Sequence, residues 1–172
     1  MDIVVRKVLQ EEASDYAICH IKCWQAAYKG IIPDENLSNM LTNMEQIVEK
    51  TRQNICKSSG DEFSIITLDG KIIGKLGYGH CRDEDKINAG EIYAIYLLPE
   101  YWDKGYGRQM MEYILSNLKN MGFHEVVIWV LKENIRARIF YEKFGFQFDG
   151  STKEIIIGKP LVEVRYSLRF DD

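Results

Sequence analysis

The sequence contains no long hydrophobic run. Nowhere in its 172 residues do about 18 apolar residues follow one another, so no segment is predicted to span a membrane. The first residues, MDIVVRKVLQEE, soon carry charges and lack the apolar core of a secretory signal peptide. We therefore expect a cytoplasmic protein with no membrane partner.

A surplus of basic charge is also missing, because the formal net charge is -4 at pH 7. A general nucleic-acid binder usually has a basic face, so no nucleic-acid partner is expected. The cysteines do not follow the spacing of a zinc site or of a thioredoxin motif. We expect no metal cofactor, and we expect reduced thiols at Cys19, Cys23, Cys56 and Cys81.

The sequence also lacks the two best-known phosphate-binding loops. The stretch PEYWDKGYGRQMMEYIL contains Gly105 and Gly107, but no G-x-x-x-x-G-K-[ST] pattern surrounds them. A dinucleotide-binding G-x-G-x-x-G would need a third glycine where Met110 stands. What remains is a turn from a strand to a helix, whose free backbone amides favour an anion, assisted by Lys104 and Arg108. A turn with incidental glycines stays open as the other interpretation.

The pattern of apolar residues predicts a mixed α/β chain. Alternating and helical periods give the order β-α-α-β-β-β-α-β-α-β-β over a single domain, residues 1–172. Asp69 and Gly70, between two apolar runs, predict a β-hairpin. The second helix is expected to run from about Asp34 into IVEKTRQNIC and to be closed by residues 58–60, SSG.

Two segments resemble motifs of the GCN5-related N-acetyltransferases, the GNAT family. The first, EIYAIYLLPEYWDKGYGRQMM, is similar to the family's strand, its R/Q-x-x-G-x-G/A loop and the helix that follows. The second, ENIRARIFYEKFGF, is similar to N-x-x-A-x-x-x-Y-x-x-x-G-F through Asn134, Ala137, Tyr141, Gly145 and Phe146. The resemblance implies the GNAT fold of the α/β (α+β) class, a mixed, mostly antiparallel twisted sheet of about seven strands with about four helices on its faces. It also implies an N-acetyltransferase with acetyl-CoA as co-substrate.

The resemblance implies that the glycine loop binds the pyrophosphate of acetyl-CoA. The residues expected to contact the cofactor there are Asp103, Lys104, Gly105, Tyr106, Gly107 and Arg108. One departure from the family pattern is visible, because Trp102 stands at the family's Arg or Gln position. Phosphate binding is then expected to rest on backbone amides, and Asp103 is expected to cap the following helix.

Family resemblance also implies that the pantetheine arm of acetyl-CoA lies along the preceding strand. Backbone groups of Ile95, Tyr96 and Leu97 are expected to bind it, with one amide facing the thioester oxygen. Asn134 and Ala137 complete the expected cofactor contacts. For Asn134, a simple helix cap is a compatible alternative.

Two residues are candidates for proton transfer. Tyr141 matches the family tyrosine that protonates the departing CoA sulfur, and the alternative is a core tyrosine that packs its helix on the sheet. Glu91 matches the glutamate with which some family members remove the amine proton through water. Tyr93 is a stand-in for that base, and an ordinary charged residue at a strand end is the alternative for Glu91.

The acceptor is expected to be a primary amine, either a small molecule such as a polyamine or an aminoglycoside-like compound, or a peptide N-terminus. By family resemblance it binds between the first two helices and the C-terminal strand pair. Acidic residues there that suit a cation are Asp34, Glu35, Asp149 and Glu154. Two rival functions stay open, a non-catalytic acyl-CoA-binding sensor or interaction module on the same fold and a nucleotide-binding protein. A homodimer is compatible with the family, although the sequence identifies no self-complementary surface.

Overall fold

The computed structural model describes residues 2–57 and 60–170, so Ser58 and Ser59, part of the predicted helix end, lie outside the described residues. The elements are β1 (Ile3–Lys7), α1 (Ala13–Ala27), α2 (Asp34–Thr42), α3 (Met44–Cys56), β2 (Glu62–Leu68), β3 (Lys71–His80), β4 (Gly90–Leu97), α4 (Tyr106–Asn120), β5 (Glu125–Leu131), α5 (Ile135–Glu142), β6 (Gln147–Ile157) and β7 (Lys159–Arg169). The mixed α/β class and the seven strands are confirmed, and the described chain has one helix more than expected. None of the described helices has the length and apolar character needed to cross a bilayer.

The additional helix arises because the expected second helix is broken in two at Asn43. The backbone of Asn43 leaves the helical region (φ -97°, ψ 16°), and its amide closes the last turn of α2. Asparagine is a poor helix-interior residue because its side chain competes for nearby backbone groups. The two halves bury different side chains, since Leu37 of α2 packs with Tyr28 and Ile55 of α3 packs toward Tyr16. A one-residue break leaves the helical period almost intact, so the sequence pattern did not reveal it.

The seven strands form one sheet in the order β1-β2-β3-β4-β5-β7-β6. Neighbours are antiparallel except for β4 and β5, which run parallel. The β2–β3 hairpin turns at Asp69 and Gly70, whose φ angles are 49° and 80°. A tight hairpin turn needs two consecutive positive φ angles, so the hairpin predicted from Asp-Gly is confirmed.

The parallel pair β4–β5 separates part-way along its length. Residues 90–92 pair with residues 126–128, and no further pairing joins these two strands in the described chain. Beyond this point β5 continues against β7 up to Leu131, whereas β4 continues against β3 alone up to Leu97. Residues 93–97 therefore present one backbone edge of β4 to a cleft in the sheet.

Helices cover both faces of the sheet. Ile65 and Ile66 are adjacent on β2 and point to opposite faces, because side chains alternate along a strand. Ile65 packs with Tyr16 of α1, and Ile66 belongs to the large cluster that contains Met110 and Ile114 of α4. These side chains are buried, and each contributes about 1.5–3 kcal/mol of hydrophobic stabilisation. The core thus holds α1 on one face of the sheet and α4 on the other.

Candidate active site

The loop between β4 and α4 contains a run of free backbone donors. The amides of residues 103–107 donate no hydrogen bond to another described residue. Gly105 precedes the helix in the left-handed region at φ 86°, with open space where a Cβ would stand. Lys104 and Arg108 are exposed beside these amides. Free amides at a helix start, together with the positive end of the helix dipole, form an anion-binding site.

Two further loop residues hold the start of α4 in place. The ring of Tyr106 is buried and lies against Tyr101, with 6.0 Å between the ring centroids. A Cβ on Gly107 would lie 3.3 Å from the ring of Phe140, so this glycine lets α4 approach α5 closely. The Tyr106 ring and the Cα of Gly107 are both used in packing. Cofactor contact by these two residues therefore stays a prediction for their backbone amides.

Asp103 does not cap α4, which corrects one expectation from the sequence. The cap position is occupied by Gly105, and no side chain there accepts a hydrogen bond from the helix start. Asp103 lies two residues earlier and has a left-handed backbone at φ 58°, unlike the extended backbone of a capping residue. Its two carboxylate oxygens instead accept from one guanidinium nitrogen of Arg136, each at 2.9 Å.

Trp102, at the position where the family has Arg or Gln, anchors the loop to the end of β4. Its indole N–H donates to the carbonyl of Leu97 at 2.8 Å. The guanidinium of Arg136 lies over its ring, 4.3 Å from the ring centroid. Sequence reasoning missed Arg136 because its ionic partner Asp103 stands 33 positions earlier. The only signal was an arginine inside the second motif, at a position that the motif does not specify.

Alternation along β4 decides which backbone groups face the cleft. The amide of Leu98 donates to the carbonyl of Ile73 in β3 at 2.9 Å, so the backbone of Leu98 faces β3. Alternate residues of an antiparallel strand bond to the same neighbour, which turns the backbone of Tyr96 toward β3 and that of Ile95 and Leu97 toward the cleft. This orientation brings Ile95 and Leu97 to the place expected for the pantetheine arm. It does not support the backbone contact expected for Tyr96.

A cavity of about 190 Å³ lies beside β4. Its walls come from the end of α1, the turn between α1 and α2, the loop after β3, β4, β5 and the β6–β7 pair, which is the region expected for the acceptor. The four acidic residues expected there, Asp34, Glu35, Asp149 and Glu154, do not line this cavity. Its carboxylates are Glu91 and Glu163, and its aromatic walls include Trp24, Tyr28, Tyr96 and Trp129.

Glu91, the predicted general base, lies at the cavity wall and is only 2% exposed. Both of its oxygens accept hydrogen bonds from Arg82, whose guanidinium lies over Tyr93 at 4.3 Å from the ring centroid. Tyr93 itself donates to Asp61 at 2.8 Å. Burial, followed by that hydrogen bond, raises the pKa of Tyr93. Tyr93 therefore stays a neutral phenol, which makes it a poor stand-in for the base.

A second carboxylate in the cavity wall is also paired with a cation. Glu163 lies 3.2 Å from the ammonium of Lys153, and that ammonium lies 4.0 Å from the centroid of the Trp129 ring. Glu91 is likewise paired with Arg82. Each of the two carboxylates that line the cavity therefore has a cationic partner that also lines it. Aromatic faces beside carboxylates are surroundings that bind ammonium groups.

Tyr28 and Tyr96 line the cavity, and Tyr141 of α5 lies near both of them. The hydroxyls of Tyr28 and Tyr96 are 2.8 Å apart, and burial raises the pKa of both residues. Tyr141, on α5, is 7% exposed, and burial followed by the nearby Tyr28 raises its pKa. The hydroxyl of Tyr141 makes no hydrogen bond to another residue in the described part of the chain. Tyr141 is therefore a neutral phenol with a free donor, as the role of general acid requires.

Asn134 begins α5 as its cap. Its side-chain oxygen accepts a hydrogen bond from the amide of Ala137 at 3.2 Å, which confirms the capping role. The side-chain NH₂ of Asn134 makes no hydrogen bond to another described residue and so keeps its donors for a ligand. Cofactor contact by Asn134 and Ala137 stays a prediction.

The cysteines on α1 lie side by side. The sulfurs of Cys19 and Cys23 are 3.9 Å apart, and both residues are free thiols. Within residues 2–57 and 60–170, no group of three or more His, Cys, Asp or Glu side chains is arranged to hold a metal ion.

The chain is similar in sequence and in fold to proteins named as N-acetyltransferases. The model of the acetyltransferase (GNAT) family matches residues 24–146. The chain is 29% identical over 162 residues to the uncharacterized N-acetyltransferase YuaI of Bacillus subtilis, covering 94% of this chain and 90% of the relative. It is 26% identical over 155 residues to the spermidine N(1)-acetyltransferase of Thermoplasma acidophilum, covering 87% of this chain and 91% of the relative. The crystal structure of the PaiA N-acetyltransferase from Thermoplasma acidophilum in complex with coenzyme A has the same fold, with a TM-score of 0.79 at 22% identity over 99% of this chain and 100% of that chain. The chain therefore belongs to the GNAT family and is an acetyl-CoA-dependent N-acetyltransferase.

Proposed function

We propose that the chain transfers the acetyl group of acetyl-CoA directly to the primary amine of a small molecule bound in the cavity. The observation that carries the proposal is a shared strand. Ile95 and Leu97 present backbone groups to the cleft, and the ring of Tyr96 between them lines the cavity. A thioester along the cleft and an amine in the cavity then meet at one strand. Direct attack needs both reactants held together in this way.

The residues present fit two parts of acetyl-CoA, the pyrophosphate and the pantetheine arm. The free amides of residues 103–107 are proposed to hold the pyrophosphate, with Lys104 and Arg108 adding positive charge. The open space at Gly105 lets a phosphate approach the backbone. The cleft-facing amide and carbonyl of Ile95 and the amide of Leu97 are proposed to hold the pantetheine arm, as an added strand would, while the Leu97 carbonyl already accepts from Trp102. Bound acetyl-CoA supplies the thioester that is cleaved.

The chain's own residues are proposed to stabilise charge and to supply a proton. A cleft-facing amide of Ile95 or Leu97 donates to the carbonyl oxygen as negative charge develops there, which is worth about 3 kcal/mol in comparable sites. The amine nitrogen forms a bond to the carbonyl carbon, and the carbon–sulfur bond breaks. Tyr141, which is a neutral phenol at neutral pH, donates its hydroxyl proton to the leaving sulfur.

Glu91 is proposed to accept the proton of the attacking amine through a water molecule. Its side chain lies at the cavity wall, and both of its oxygens already bond to Arg82. Oε2 accepts from both the backbone amide and the Nε of Arg82, whereas Oε1 accepts one bond from the guanidinium and keeps a lone pair for a water molecule. Arg82 then acts as a positioning residue that fixes the orientation of the carboxylate.

The acceptor is proposed to be a slender amine such as a polyamine. The cavity, about 190 Å³, lies below the range of about 300–1,000 Å³ that is usual for drug-sized ligands. The aromatic rings of Trp24 and Tyr28 suit both a methylene stem and an ammonium group, whereas the Trp129 ring already carries the Lys153 ammonium. The spermidine N(1)-acetyltransferase among the relatives supports a polyamine as the first acceptor to test. Because acetyl-CoA and polyamines are cytoplasmic metabolites, we propose a cytoplasmic location for the reaction.

A panel of amines tests this proposal. The purified protein is incubated with acetyl-CoA and one amine at a time, and both thiol release and the mass of the acetylated amine are measured. The panel contains spermidine, an aminoglycoside and a peptide with a free N-terminus. We expect spermidine to give the highest kcat/KM. No turnover with any amine, despite measurable CoA binding, would contradict the proposal and favour an acyl-CoA sensor. Faster acetylation of the peptide or the aminoglycoside would contradict the assigned acceptor class.

A further inference from the structure

A cluster of three side chains, the Trp102–Asp103–Arg136 cluster, joins the two sides of the cofactor cleft. Trp102 and Asp103 belong to the loop before α4, and Arg136 belongs to the first turn of α5. The guanidinium lies over the indole ring at 4.3 Å from its centroid and donates to both oxygens of Asp103 at 2.9 Å. One nitrogen makes both of these bonds. The remaining guanidinium N–H groups donate to no described residue, so Arg136 keeps donors for a ligand.

The ion pair in this cluster contributes little to stability. The side chains of Arg136 and Asp103 are 52% and 84% exposed, and an exposed ion pair contributes at most about 1 kcal/mol. Asp103 also holds a φ of 58°, in the left-handed region that aspartate adopts more readily than most other non-glycine residues. Asp103 belongs to the same loop as the free amides of residues 103–107, which favour an anion. Asp103 thus occupies, with a weakly held negative charge, the surroundings of the expected phosphate.

We propose that Arg136 binds a phosphate group of acetyl-CoA and that Asp103 is the counter-ion it leaves when the cofactor binds. A guanidinium binds phosphate through two parallel N–H donors, whereas its contact with Asp103 uses a single nitrogen. Trp102 orients the guanidinium plane by stacking, and its own bond to the Leu97 carbonyl fixes the ring. The basic side chain that the family has at position 102 is thereby supplied from α5.

This exchange of partners gives opposite expectations for the two charged residues. Arg136→Gln removes a phosphate ligand and should weaken CoA binding about tenfold, as expected for one charge-assisted pair. Asp103→Asn removes a competing and repelling charge while keeping the side-chain size, so it should tighten CoA binding about two- to fivefold. In the double variant the gain should be smaller than in the parent background, because the part that comes from releasing Arg136 is lost and only the reduced repulsion of the phosphate remains. Arg136→Lys keeps the positive charge but loses the two parallel N–H donors and the planar group that lies over Trp102. Its affinity for CoA should therefore lie between those of the parent and of Arg136→Gln.

Isothermal titration calorimetry on the full chain measures these affinities directly, with CoA and with 3′-dephospho-CoA as probes. Thermal unfolding without ligand checks that each variant is folded. The matched control is Arg52→Gln on α3, because Arg52 pairs with Glu49 at the comparable exposures of 46% and 55%. This control removes the same charge away from the cleft and should bind CoA within about twofold of the parent.

The two probes also identify the phosphate that Arg136 contacts. If Arg136→Gln loses affinity equally for CoA and for 3′-dephospho-CoA, Arg136 contacts the pyrophosphate. If it loses affinity for CoA alone, Arg136 contacts the 3′-phosphate. Affinity of a folded Arg136→Gln variant within about twofold of the parent would overturn the proposal. So would an Asp103→Asn variant that weakens CoA as much as Arg136→Gln, because the ion pair would then only shape the loop.

Discussion

Replacement of Tyr141 by phenylalanine removes one oxygen atom from the cleft and little else. The hydroxyl makes no hydrogen bond to another described residue, and the ring packs near Phe146, with 6.2 Å between centroids. Because no partner loses its bond, we expect the free energy of unfolding to change by less than about 1 kcal/mol. A variant that keeps its stability isolates the loss of the proton donor from any loss of structure.

Catalysis by this variant should suffer far more than its stability. General acid catalysis typically contributes about 10²–10⁴-fold, so we expect kcat to fall by at least about 10²-fold. That factor corresponds to about 2.7 kcal/mol of activation free energy. The dissociation constant of CoA should stay within about twofold of the parent value, because the phosphate contacts are unchanged.

The pH dependence of kcat gives an independent check on Tyr141. Burial raises the pKa of its phenol above the ordinary value of about 10, so the native enzyme keeps the proton where a free tyrosine loses it. The parent should therefore show no alkaline loss of kcat from Tyr141 below about pH 10. The free energy of unfolding should therefore fall as the pH rises past about 10, because the unfolded chain then releases this proton while the folded chain keeps it up to its own higher pKa.

The assay combines steady-state thiol release, CoA titration and thermal unfolding. Tyr113→Phe is the matched control, since Tyr113 is a partly buried tyrosine of α4 that packs against Tyr78 away from the cavity. A folded Tyr141→Phe variant with kcat within about threefold of the parent would refute the assignment of Tyr141 as proton donor.

Three further substitutions test the base, the sheet and a buried ionic network. Glu91→Gln should lower kcat/KM about 10²-fold at neutral pH and recover toward alkaline pH, where more of the amine is already neutral, and a pH–rate profile parallel to that of the parent would contradict this role. Gly74→Ala places a Cβ 2.7 Å from a backbone carbonyl of β4 and should lower the free energy of unfolding by about 1–3 kcal/mol. Gly77→Ala on the same strand meets only ordinary contacts, so equal losses in the two variants would speak against steric crowding as the cause. The Arg165 side chain is only 5% exposed and pairs with the carboxylates of three aspartates, Asp83, Asp85 and Asp149. Arg165→Met removes their common partner, so urea denaturation should show a free energy of unfolding lower by an amount on the order of 3 kcal/mol. If the free energy of unfolding fell by less than about 1 kcal/mol, these ion pairs would contribute no more than solvent-exposed ones do.

The features that the sequence predicted are those encoded by neighbouring residues. Strand alternation and helical periods gave all seven strands, and two positive φ angles at Asp69 and Gly70 follow from the residues themselves. The glycine loop and the Asn134 cap were also recognisable, because their geometry depends on a few consecutive residues. The break at Asn43 was missed because two helices with a shared period look like one.

The side-chain pairs across the cleft and around the cavity were not predictable in the same way. Arg136 and Asp103 meet only because α5 and the loop before α4 end at the same cleft. The acidic residues predicted for the acceptor site show a related limit. Asp149 stands where the register of β6 shifts, and its carboxylate turns to Arg165 instead of the cavity. Such a shift changes which side chains face which way, and no local pattern reveals it.

The separation of β4 from β5 accounts for both halves of the proposed site. If β5 continued to pair with β4 beyond Ile92, the sheet ladder would bond the cleft-facing groups of Ile95 and Leu97, and no cofactor could add as a strand. The same separation opens the space in which Tyr96 of β4 and Leu131 of β5 line one cavity. One interruption in the sheet therefore leaves backbone donors for the cofactor and a pocket for the amine on the same short strand.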